Sequence, residues 1–208
     1  MGKKTRAKNI AIFSAIITIL SFIYKVGLGV LTNSIVLLIA AVSTFMVFIC
    51  KVAFAKNATS TRDNKKRAYL VMTVSCLIYS LIFILFVVLK IFGIDTSNKK
   101  TYEGFLGAIF IGFILIMFIL SLIGLKGALE KHDIMFIGLK EITFISALTD
   151  LVIIMEFITR IVLKYKVDIP YLEKINNYVP LGIGITMVII IILMFIRYAT
   201  YKVKASNE

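Results

Sequence analysis

Six long apolar runs, at residues 10–31, 35–55, 68–94, 105–125, 142–163 and 179–196, occupy most of this 208-residue chain. Each is close to the ~20 residues that a helix needs to cross a hydrocarbon layer ~30 Å thick. No water-soluble core could hide so much apolar surface. Hydrophobic residues are 60% of the chain and charged residues 17%, whereas soluble domains carry about 25% charged residues. In lipid every backbone polar group must pair within the chain, which leaves helices or a closed barrel. Barrel strands alternate in polarity and last about ten residues, unlike these uniformly apolar runs. The sequence therefore predicts an all-α, polytopic membrane protein. It is a six-transmembrane-helix bundle forming a single domain over 1–208, with no soluble domain and with the lipid bilayer as its main partner.

Basic residues set the expected orientation. The N-terminus, the second and fourth gaps and the C-terminus hold fifteen Lys and Arg residues; the first, third and fifth gaps hold six, counting Lys90 with the third. Lys25, Lys51 and Arg160 lie within runs. Because Lys and Arg favour cytoplasmic loops, both termini are predicted inside, in a multi-pass protein of the cell membrane. Most tyrosines fall near run ends, where an amphipathic ring anchors at the interface; Tyr79 is the deep exception. The same logic absorbs the net charge of +13. Basic residues that flank spans face anionic lipid, and no basic stretch interleaved with aromatics offers a nucleic-acid surface.

The first run follows Lys3, Lys4, Arg6 and Lys8, but it is longer than the ~7–15 residues of a signal peptide and lacks a cleavage site, so it is read as a retained span. Only Thr32-Asn33-Ser34 separates it from the second run, which forces a tight helical hairpin. The stretch 126–140 is read as a charged link. Cys50 and Cys76 lie inside runs and are expected to be buried free thiols.

Charges within lipid are expensive and point to function by default. The fifth run holds Asp150, Glu156 and Arg160, and the first holds Lys25. Asp150 is ten positions past Lys140, so at ~1.5 Å per residue it lies roughly 15 Å deep, near the middle of the layer. Glu156 is sixteen positions past Lys140 and Lys25 sixteen past Asn9, which puts both roughly 24 Å in. Glu156 and Arg160 have the acid-first spacing of four that favours a pair on one helix. Lys25 is expected to join them, although Lys25 and Arg160 can also reach outward to the interface. Thr143, Ser146 and Asp150 form one polar stripe that must face protein or water and is expected to meet Ser43 on the second helix. Two readings of this stripe stand open: a solute or proton site, or a protonated carboxyl that hydrogen-bonds a neighbouring helix. Glu130, His132 and Asp133 are the nearest thing to a metal cluster, but a lone histidine in a charged link is ordinarily solvated. With no H-E-x-x-H, G-x-S-x-G or P-loop, no catalytic residue, metal site or cofactor is assigned, and the chain is not read as an enzyme.

The first hairpin, Lys25-Val-Gly-Leu-Gly29-Val-Leu-Thr-Asn-Ser34-Ile-Val-Leu-Leu-Ile-Ala-Ala41, resembles the end of helix one and the start of helix two in cation diffusion facilitators. Six spans with both ends inside also match that family. Ser146-Ala-Leu-Thr-Asp150 stands where it places His-x-x-x-Asp on helix five. The resemblance implies a cation-efflux fold, and its transport site would fall on Ser43 and Val47 of helix two and on Ser146 and Asp150 of helix five. Only Asp150 keeps a strong ligand. Residues 197–208 follow the last run, where the family usually has a cytoplasmic C-terminal domain.

The expected function is thus a cation-efflux-like transporter relative without a working zinc site, its solute unknown. The alternative is a non-transporting membrane accessory, immunity or interaction protein. A homodimer is compatible with both. A water-accessible polar cavity around Asp150 would favour the first, and a dry, tightly packed helix-five interface the second. Orientation can be tested directly. A cysteine at Asn64 is expected to resist an impermeant thiol reagent in intact cells, and strong labelling from outside would overturn the predicted topology.

Overall fold

The computed structural model describes residues 3–57, 61–92, 105–130, 133–164 and 171–206. They form six helices and, among the described residues, no strand: α1 (Lys3–Thr32), α2 (Ile35–Asn57), α3 (Arg62–Ile91), α4 (Phe105–Leu129), α5 (Ile134–Lys164) and α6 (Leu172–Ser206). Each contains a stretch long and apolar enough to cross a membrane. The protein is an all-α, multi-pass integral membrane protein.

The hairpin between α1 and α2 is built by three residues. Asn33 turns the chain with a φ of 51°, a left-handed conformation that Asn tolerates better than most residues. Ser34 donates its N–H to the Gly29 carbonyl at 2.8 Å, and its Oγ accepts from the Leu37 N–H at 3.4 Å, capping α2. Gly29 lies so close to Leu38 that a Cβ there would come within 2.9 Å of Cδ2. Two residues of the family-like segment, Gly29 and Ser34, thus have local structural roles.

Around this hairpin the helices are unequally shared. α5 is the hub, packed against α2, α3, α4 and α6. α3 also packs against α2 and α6. Among the described residues, α1 packs along α2 alone and α4 along α5 alone. The buried core follows this arrangement, with Leu37, Val47 and Cys50 from α2, Met72, Tyr79 and Phe83 from α3, Ile145 and Val152 from α5, and Met187 and Met194 from α6. Cys50 and Cys76 are free and buried.

Two boundaries differ from the sequence reading. The link at 126–140 is mostly helical: α4 runs to Leu129 and α5 starts at Ile134. Asp133 explains the early start, because its Oδ1 accepts the N–H groups of Met135 and Phe136 at 3.0 and 3.3 Å, the bonds of an N-cap. The charges Lys140 and Glu141, which suggested a loop, are carried one turn and more inside the helix. α6 likewise starts at Leu172, before Pro180, which it holds within the helix. Tyr69, expected as an interface anchor, is instead fully buried, packed under Gly138 with its hydroxyl on Glu141.

At Gly138, α5 lies close against α3. A Cβ at this position would stand 2.7 Å from two Tyr69 ring carbons and 3.3 Å from the Met72 sulfur. Neither neighbour is free to move, since both are wholly buried. Gly138→Ala is therefore expected to lower stability by about 1–3 kcal/mol, as overpacking does. Gly127→Ala, at a site with nothing within 4 Å, should be neutral or slightly stabilising. Thermal unfolding in detergent distinguishes them, and equal melting points would refute the close approach.

Candidate functional site

Three carboxylates lie along α5, and each meets a cation from a different helix. Glu141 pairs with Arg197 of α6 and accepts a hydrogen bond from the Tyr69 hydroxyl at 3.3 Å. Asp150 pairs with Lys25 of α1 at 2.6 Å. Glu156 pairs with Lys90 of α3 at 3.2 Å, and the same ammonium donates to the Asn176 side-chain carbonyl at 3.3 Å. The outer two pairs tie α5 to α3 and α6 near opposite ends of the bundle. The middle pair reaches a helix whose backbone, among the described residues, does not pack along α5.

Lys25 was expected beside Glu156 and Arg160, and the structure corrects this. Its ammonium donates to Asp150 Oδ1 at 2.6 Å, to Asp150 Oδ2 at 2.8 Å and to Thr44 Oγ1 at 2.9 Å. Depth measured from the Cα misplaced it. Helix Cα–Cβ bonds tilt toward the N-terminus, and a lysine stem spans several ångströms, so Lys25 reaches back from its own level toward the middle of the bundle. The depth scale on α5 also began at Lys140, more than a turn late for a helix that starts at Ile134. Lys90, counted with a loop, takes the place beside Glu156. The Arg160 side chain lies outside the described residues, and so does His132. Asp133 caps α5 and pairs with Lys65 at 3.2 Å.

The polar stripe on α5 meets α2. Ser146 Oγ lies 3.1 Å from Ser43 Oγ. Ser43 donates to the Ala40 carbonyl at 2.8 Å, so Ser146 is the donor between the two hydroxyls. Thr143 donates to the Leu139 carbonyl at 2.7 Å within its own helix. One turn beyond Ile145, Thr149 donates to the Ile145 carbonyl at 3.1 Å and accepts from the Tyr79 hydroxyl at 2.8 Å. Thr44, beneath Lys25, donates to the Ala40 carbonyl at 2.8 Å. Reasoning from sequence missed Thr44, Thr149 and Tyr79. The spacing of Tyr79 away from any run end was the one available signal, since a deep tyrosine hydroxyl in lipid must find a partner.

Around Ser43 and Ser146 the packing is tight. Met46, Cys76, Tyr79, Ile142 and Ile145 close the space, leaving no room for a water molecule. The Asp150 side chain keeps 16% of its surface exposed, against 6% for Lys25. Among the described residues, every buried side-chain nitrogen and oxygen has a hydrogen-bond partner, and no group of three or more His, Cys, Asp or Glu side chains is placed to hold a metal.

No protein-family model, curated protein or solved structure matches this chain.

The pairing gives a sharp test. Removing one member of a buried ion pair leaves the other uncompensated and costs about 3–5 kcal/mol. Lys25→Met and Asp150→Leu should each destabilise strongly, and the double variant should lose much less than the sum. Lys25→Met combined with Glu156→Gln should be additive, because Lys25 is seated on Asp150 and Thr44 while Glu156 pairs with Lys90. The reverse pattern in a double-mutant cycle would restore the Lys25–Glu156 pairing.

Proposed function

We propose that this protein is a transporter-like relative of the cation-efflux type, in which the metal ligands are lost and Asp150 is the charged group of the site that remains. The observation that carries this reading is the Lys25–Asp150 pair, set within the bundle and away from the helix ends. Ionisable residues at such depth mark ion, proton or solute paths by default. Ser43, Thr44 and Ser146 bring hydroxyls to the same region. The donor set does not suit zinc, which takes about four ligands and favours Cys and His. Here one carboxylate already carries an ammonium. In this reading both termini face the cytoplasm at the cell membrane, the chain performs no covalent chemistry, and a homodimer is compatible with it.

A second reading, a non-transporting accessory or interaction protein, draws support from a different observation. The space behind Ser43 and Ser146 admits no water, as a purely structural polar contact would require.

Proton flux in proteoliposomes separates the two. On the transporter reading, wild-type protein dissipates an imposed proton gradient, and Asp150→Asn abolishes the flux when equal amounts of folded, reconstituted protein are compared. A wild type that leaves the gradient intact under all imposed polarities overturns it in favour of the accessory reading. Calorimetry with zinc is expected to give no stoichiometric micromolar binding. A micromolar site lost in Asp150→Ala would overturn the assignment of a non-zinc site.

A further inference from the structure

We propose that the three oxygens around the Lys25 ammonium form a binding site for a small monovalent cation, and that a free alkali-metal ion exchanges there with Lys25. The proposal rests on the transporter reading above and names the ligand class of that site.

An ammonium has three N–H donors and no acceptor. Lys25 places all three, on Asp150 Oδ1, Asp150 Oδ2 and Thr44 Oγ1, at 2.6 to 2.9 Å. The chain has thus wrapped a cation in oxygens and supplied the cation itself. The surrounding hydroxyls fix the polarity of the site. Thr44 and Ser43 both give their hydrogens to the Ala40 carbonyl, and Thr149 gives its hydrogen to the Ile145 carbonyl. With its hydrogen spent on the backbone, the Thr44 oxygen faces the site as an acceptor only. An oxygen shell of this kind suits hard cations and offers nothing to an anion or a soft metal.

Charge balance selects a monovalent ion. The carboxylate with its ammonium is neutral, and an isolated net charge in this setting is costly. In the exchange, the free cation takes the position of Lys25 Nζ on the Asp150 carboxylate. Lys25 withdraws as a neutral amine and one proton leaves to water, so the site is neutral before and after. A divalent ion would leave one uncompensated positive charge. The other charged groups on the facing helices are engaged elsewhere: Glu141 with Arg197, Glu156 with Lys90, and Lys51 of α2 with Thr18 and the Ser14 carbonyl of α1. On α3, the Tyr79 hydroxyl is committed to Thr149 and Cys76 is a buried thiol. Among the described residues only Lys25 forms an ion pair with Asp150.

Two features let the exchange occur. The closed packing is no obstacle, because the cation takes the volume that the ammonium vacates. And among the described residues α1 packs its backbone only along α2, so a shift of α1 can withdraw Lys25 without separating the hub helices.

The test uses the full chain in phosphatidylcholine nanodiscs in weakly buffered solution. Sodium, potassium and lithium chloride are compared with N-methylglucamine chloride at matched ionic strength. At least one alkali cation is expected to release about one proton per chain. Asp150→Asn should abolish the release. Lys25→Arg is the decisive variant, because it keeps the ion pair and the fold but cannot surrender its proton; it should remain stable and release none. Lys25→Met, or Lys25→Gln should the former not fold, should acquire a melting temperature that rises with the same alkali cation, without proton release. Absence of alkali-dependent proton release from wild type overturns the proposal, even if Lys25→Met binds the ion, and so does full release from Lys25→Arg. A wild type whose Asp150-dependent proton flux ignores alkali cations keeps the transporter reading while overturning this one.

Discussion

Every carboxylate that α5 carries into the apolar layer must be neutralised from another helix, and this requirement organises the bundle. Glu141, Asp150 and Glu156 stand at three levels of one helix and draw in α6, α1 and α3 respectively. Apolar packing alone gives lipid-embedded helices little reason to choose one neighbour over another, since lipid tails are as apolar as leucine side chains. Charge pairs supply that choice. A register shift of one residue on α5 would rotate all three acids away from their partners at once. The pairs at the two ends also involve Tyr69 and Asn176, so α3, α5 and α6 are bound to one another at both ends.

The middle pair has a different character. Glu141 and Glu156 reinforce helices that already pack against α5. Asp150 reaches across to a helix that, among the described residues, makes its backbone contacts with α2 alone. Its cation sits on Thr44 as well, and Thr44 belongs to the helix between them. Lys25 therefore links α1 to the hub, beside the packing that α2 already makes against α3 and α5.

Much of this was legible in the residues. Six runs of membrane length became six helices, the three-residue break at Thr32-Asn33-Ser34 became a hairpin, and the spacing of Ser146 and Asp150 placed a polar stripe on α5 whose Ser146 faces Ser43. What the sequence hid was of two kinds. Helix ends were hidden where charge masked helix: Lys140 and Glu141 suggested a loop, yet Asp133 starts the helix a turn and more before them. Pairing was hidden because it depends on where a side chain ends, not where its Cα sits. Lys25 and Lys90 each reach a carboxylate that simple depth assigned differently, and Glu141, taken for part of a link, is one of the three acids of α5 paired within the bundle. Hydropathy finds the spans, but the direction of long side chains decides who meets whom.

Stability alone does not account for keeping a lysine and an aspartate at the centre of such a bundle. Replacing a buried ion pair with apolar residues of similar size is often neutral or stabilising, and leucine or methionine at both positions would suit lipid and the neighbouring helices. The end pairs escape this argument in part, since each also satisfies a polar neighbour and locks helices already in contact. The Lys25–Asp150 pair joins two helices whose backbones, among the described residues, do not pack together, and it places a titratable carboxylate, partly exposed, beside hydroxyls whose hydrogens are already spent. A contact that only had to hold would be better made by packing. One that has to open, and to carry something when it does, needs a charge that can be matched from either of two sources. The chain supplies one of those sources itself, on the end of a flexible stem.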